Sequence, residues 1–79
     1  MQDDREHLEQ LQQRAEEAYD RMYDVLGANA AGACFREAKE LLSGAVSMAR
    51  RMGLEDEAGR LEKRLEHIRQ VYQHQMRDY

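Results

Sequence analysis

His7, His67, His74 and the single cysteine Cys34 are the side chains of this 79-residue chain with metal-binding or nucleophilic potential. A metal site on a helix wants its ligands three or four residues apart on one face. His67 and His74 stand seven apart, no Glu-x-x-His or His-x-x-x-His spacing occurs, and Asp4-x-x-His7 lies in the first few residues. Solvated histidines, with no metal and no cofactor, are the expectation. A phosphorelay histidine wants an exposed imidazole with a lysine nearby. Lys63 precedes His67 by four, but small residues beside the histidine are missing. Cys34 falls near the start of the expected middle helix, where the dipole can lower a thiol pKa. Nucleophilic catalysis also needs a base held by a third group. No such constellation is legible, so Cys34 reads as a small buried core thiol.

The basic residues offer two further chemistries. Small dimeric all-α enzymes such as chorismate mutases aim basic groups into a bundle, but here the inward positions of the first and third helices are uniformly apolar. Arg14, Arg21 and Arg64 flank those seams and are expected to be solvated, so no catalytic residue is assigned. Arg50, Arg51, Arg60, Lys63, Arg64 and Arg69 raise nucleic acid as a partner. Glu55, Asp56, Glu57, Glu62 and Glu66 are interleaved with them, which weakens attraction to a row of phosphates. The net charge of −4 divides unevenly: residues 1–32 carry 3 basic against 8 acidic groups, 33–52 carry 4 against 2, and 53–79 carry 5 against 6. Nucleic acid is therefore not expected.

The elements that position these residues are helices. Charged residues make up 35% of the chain and proline and tryptophan are absent, a usage typical of long helices. A domain this small buries only about 60% of the surface its unfolded chain exposes, and one cysteine excludes an internal disulfide. Regular packing or association must supply the stability. The Gln2-Asp3-Asp4-Arg5-Glu6 start is wrong for a secretory signal, and no apolar run approaches the roughly 20 residues of a bilayer span. An unpaired thiol fits a reducing compartment, so a cytoplasmic location is expected.

The predicted fold is all-α, a small antiparallel three-helix bundle filling residues 1–79 as one domain, with helices at about 3–26, 30–52 and 55–77. The first helix has Asp3 or Asp4 as N-cap and the seam Leu8, Leu11, Ala15, Ala18, Met22, Val25. Gly27 is its expected C-terminal stop, and Asn29 is a candidate cap for the next helix. The middle helix carries two seams: Phe35, Ala38, Leu42, Ala45, Ala49, Met52, and a shorter one, Cys34, Leu41, Met48. Two seams need two neighbours, so this helix is central. Gly44 lies inside it, either at a close backbone crossing or on a solvated face. The third helix repeats the pattern through Leu54, Ala58, Leu61, Leu65, Ile68 and Tyr72, with fraying expected from Gln75. Glu17 with Arg21, and Asp56 with Arg60, are expected as i,i+4 ion pairs.

Ala38-x-x-x-Leu42-x-x-Ala45 resembles the second helix of a tetratricopeptide repeat (TPR-like), although that repeat's Trp, Leu-Gly and Tyr pattern is absent. Phe35-Arg36-Glu37-Ala38-Lys39-Glu40-Leu41-Leu42 followed by Ala45 looks like the second helix of the microtubule-interacting and trafficking (MIT) domain. Arg60-Leu61-x-x-Arg64-Leu65 resembles that domain's third helix. The resemblance implies a three-helix binding module, an adaptor that takes a partner helix into a groove beside its third helix.

The expected function is thus non-enzymatic protein–protein interaction with a helical segment. The residues expected to bind are Leu41, Met48, Val46, Tyr23 and Val71, an apolar surplus that one three-helix core does not absorb. Methionine suits such a surface because its side chain adapts. A homodimeric assembly module built by self-association is the alternative, and a small dimeric all-α enzyme stands behind it.

Overall fold

The computed structural model describes residues 4–24 and 28–76. They form three helices, α1 (Asp4–Asp24), α2 (Ala28–Arg51) and α3 (Glu55–Val71), and α3 continues into a single π-turn, Tyr72–Met76. The all-α bundle is as the periodicity predicts. The expectations on Asp3, Val25, Leu26, Gly27 and Arg77 lie outside the described residues.

Helix boundaries depart from the sequence reading at two places. α2 is already helical at Ala28, so Asn29 sits exposed within its first turn rather than capping it. The run Ala28-Asn29-Ala30-Ala31 explains this, because alanine loses the least on entering a helix. At the other end, α3 gives way to wider π geometry at Tyr72, where a regular helix was expected to continue to Arg77.

The α2–α3 turn is closed by its backbone. Gly53 adopts φ +77°, its N–H donates to the Arg50 carbonyl at 3.0 Å, and the Leu54 N–H reaches back to Ala49 at 2.8 Å. This pair of bonds is the Schellman motif, which needs a left-handed residue that glycine adopts without steric cost. Leu54 then opens α3 with no side-chain cap. Its carbonyl accepts from the Ala58 N–H at 2.9 Å, while Glu55, Asp56 and Glu57 place negative charge at the positive pole of α3.

The seams become the core. Leu8, Ala15, Ala18 and Met22 of α1, Ala38, Leu42, Ala45 and Ala49 of α2, and Ala58, Leu61 and Ile68 of α3 are all buried. Tyr19, Ala31 and Val46 join them from beside the predicted seams. Leu11, Phe35, Met52, Leu54, Leu65 and Tyr72 are half-buried against that cluster. Alanine dominates the central layer of α2, which lets both neighbours approach closely.

The helices run up, down and up, with α2 between the other two. The Cα envelope measures 43 × 23 × 13 Å. A width of 23 Å is about two helix spacings of 8–10 Å plus one Cα cylinder, so α1 and α3 flank α2 instead of closing a tight triangle. Gly44 is exposed, and a Cβ built there meets nothing within 4 Å. Of the two readings of Gly44, the solvated face is the one observed.

Candidate functional site

Because α1 and α3 sit on either side of α2, they meet through long side chains. Arg64 of α3 forks onto Glu16 of α1, with Nε 2.8 Å from one carboxylate oxygen and Nη2 2.5 Å from the other. Its guanidinium carbon lies 5.0 Å from the centre of the Tyr19 ring, a geometry in which a cation is attracted to the ring face. Arg64 was expected to be solvated and is instead half-buried in a bidentate pair. Tyr19 shares a 2.9 Å hydrogen bond with the Tyr23 hydroxyl, and the two rings meet edge to face at 5.3 Å. The His67 ring lies 6.5 Å from Tyr19, also edge-on. Burial first, and then the bond to Tyr23, push the Tyr19 hydroxyl up to about 12. The phenol is therefore neutral at physiological pH.

The second feature is a groove between α2 and α3, lined by Ser43 and Val46 from α2 and by Gly59, Glu62, Lys63, Leu65, Glu66 and Arg69 from α3. It is open to solvent, with a volume of about 660 Å³. Val46 and Leu65 form an apolar floor. Gly59 leaves a gap in the α3 wall, since a Cβ built there meets nothing within 4 Å. The rim is charged and largely self-compensated: Arg50 bridges from α2 to Glu62, and Arg69 lies 3.8 Å from Glu66.

The five residues expected to bind are not brought into one patch. Val46 is buried and lines the groove. Leu41 and Met48 are half-buried against the core, on the side of α2 that faces α1. That orientation follows from Arg21 of α1, which pairs with Glu37 of α2 at 2.7 Å, and from Asp4, which shares a shallow cleft with Met48 and Met52. Val71 is half-buried at the end of α3. Tyr23 alone of the five is exposed, at 47%, and its hydroxyl is engaged with Tyr19. The apolar surplus is therefore smaller than a count of seams implies, because α1 leans over the Cys34, Leu41, Met48 stripe.

Cys34 is half-buried and not fully enclosed. The expected ion pairs also resolve differently. Arg21 turns to Glu37 of α2 and not to Glu17, and Arg60 takes Glu57, one turn back, instead of Asp56. Among the described residues, no three His, Cys, Asp or Glu side chains converge as a metal site, and no helix is long and apolar enough to cross a membrane.

The resemblance implied a groove beside the third helix but gave none of its lining, and the Arg64–Glu16–Tyr19 cluster was not legible in the sequence. Leu65 was legible as a seam residue, and its groove neighbour Gly59 was passed over. The signal for Gly59 was a helix-breaking residue kept inside a strongly helical segment. Comparison with protein-family models, curated proteins and solved structures returns no significant match.

Proposed function

We propose that this chain is a non-enzymatic interaction module that receives a partner helix in the groove between α2 and α3. The observation that carries this reading is the groove itself: an apolar floor of Val46 and Leu65, a side-chain gap at Gly59, and a charged rim. An amphipathic helix laid in a groove needs these parts, with apolar anchors below and polar groups along the edges. The resemblance of Phe35 to Ala45, and of Arg60 to Leu65, to the helices of MIT domains supports the same face, since it implies binding beside the third helix. Catalysis has no comparable support. Among the described residues, no buried side-chain nitrogen or oxygen is left without a hydrogen-bond partner.

Lys63 gives the rim a polarity. Glu62 and Glu66 face Arg50 and Arg69, which leaves the Lys63 ammonium as the rim charge open to a partner carboxylate. The test is selection of helix-forming peptides on the folded protein, followed by amide chemical-shift mapping of the bound state. Perturbations concentrated on Ser43, Val46, Gly59, Leu65 and Arg69 are expected. Binding that maps instead to the outer face of α1 contradicts the proposal, as does failure to select any helix.

A further inference from the structure

Among the described side chains of the π-turn, Tyr72 is the one that ties it back to α2. The Tyr72 ring stacks on Phe35 with centroids 4.2 Å apart and planes 6° from parallel. Its hydroxyl lies 3.1 Å from where a Cβ on Gly32 would stand. Gly32 is buried within α2, so the missing side chain makes the notch that admits the phenol. Ile68, one turn earlier, is fully buried and is the last buried residue of α3, whereas Gln73 and His74 beyond the stack are exposed. The Tyr72 N–H is shared between the Ile68 and Arg69 carbonyls, which marks the point where α-helical bonding gives way.

A π-turn is a rare winding, and here it begins at the residue whose ring is docked on Phe35. We propose that Tyr72–Met76 is a latch that opens independently of the three-helix core, uncovering the Phe35 ring and the Gly32 notch at the Arg69 end of the α2–α3 groove. Segments held by few buried contacts open on their own while the core stays closed. One stacked aromatic pair is such a tie, and its release lengthens the apolar floor from Leu65 toward Phe35. The latch rests on the stack and the notch and stands whether or not the groove binds a helix.

Amide hydrogen exchange of the wild type, Tyr72→Ala, Gly32→Ala, Tyr72→Phe and the Gly32→Ala/Tyr72→Phe double variant tests it. Tyr72→Ala is expected to speed exchange of residues 69–76 by about tenfold, the size implied by loss of an aromatic pair. The amides around Leu42, Ala45 and Ala49 stay within about twofold of the wild type, as a local opening requires. Gly32→Ala is expected to loosen the same residues by crowding the hydroxyl, and Tyr72→Phe, which lacks that oxygen, to restore them in the double variant. Unchanged exchange at 69–76 in Tyr72→Ala overturns the proposal. So does equal acceleration through all three helices, or a Gly32→Ala effect that is the same with and without the hydroxyl.

Discussion

Among the described titratable groups, Tyr19 is the one whose proton affinity folding alters most. Its hydroxyl is pushed up to about 12, by burial and by Tyr23, from an ordinary value of 10. The folded state therefore holds this proton more tightly than the unfolded state does. The resulting stability is complete below pH 10 and is lost as the pH rises from 10 toward about 12. Urea titrations across that window are expected to show a steeper decline for the wild type than for Tyr19→Phe; parallel declines contradict this. Arg64 and Glu16 are each about 40% exposed along their side chains, so the pair itself contributes at most about 1 kcal/mol. These partnerships could not be read from the chain. An arginine on a helix surface has several carboxylates within reach of its long side chain, and the choice is made by neighbouring helices. Arg21 takes Glu37, sixteen residues away, over Glu17, and Arg64 takes Glu16, forty-eight residues away.

At the scale of the element, the helices were legible because the three-and-four spacing of apolar residues survives in the burial pattern. Leu42→Ala is expected to cost about 2 to 5 kcal/mol in a denaturant titration, because Leu42 is fully enclosed at the centre of α2. A loss under about 1 kcal/mol would place it outside the core. Glycines separate by the same logic. Gly44→Ala meets open space and is expected to stabilise by about 0.4 to 1 kcal/mol. Gly53→Ala must hold φ at +77°, and is expected to destabilise by about 1 kcal/mol. Calorimetric melting distinguishes these opposite signs. What the seams did not reveal was which neighbour covers each stripe. Leu41 and Met48 read as an open face because their spacing says only that they share a side of α2, and nothing in a one-dimensional pattern says that α1 leans that way. With both half-buried, Leu41→Glu and Met48→Glu together are expected to lower the melting temperature instead of leaving the fold untouched.

On the scale of the whole molecule, the arrangement of α1 and α3 on either side of α2 creates the groove. A tighter triangle would draw the two outer helices together over α2 and change how α3 meets it. The sequence gives the number of helices and their order, but the width of the bundle depends on side-chain sizes acting across all three helices. The floor residues Val46 and Leu65 were visible as apolar positions, and their joint role depends on that width. Gly59 provides the most direct test because its substitution fills the groove without touching the core. Gly59→Arg places a long side chain on the groove wall, while Gly44→Arg adds the same group to the solvated face of α2 as a matched control. Fluorescence anisotropy with a selected helical peptide is expected to show at least about a tenfold weaker Kd for Gly59→Arg, as obstructing a binding groove implies, and no change for Gly44→Arg. Equal affinities for the two variants would contradict the claim that this groove is where the partner helix binds.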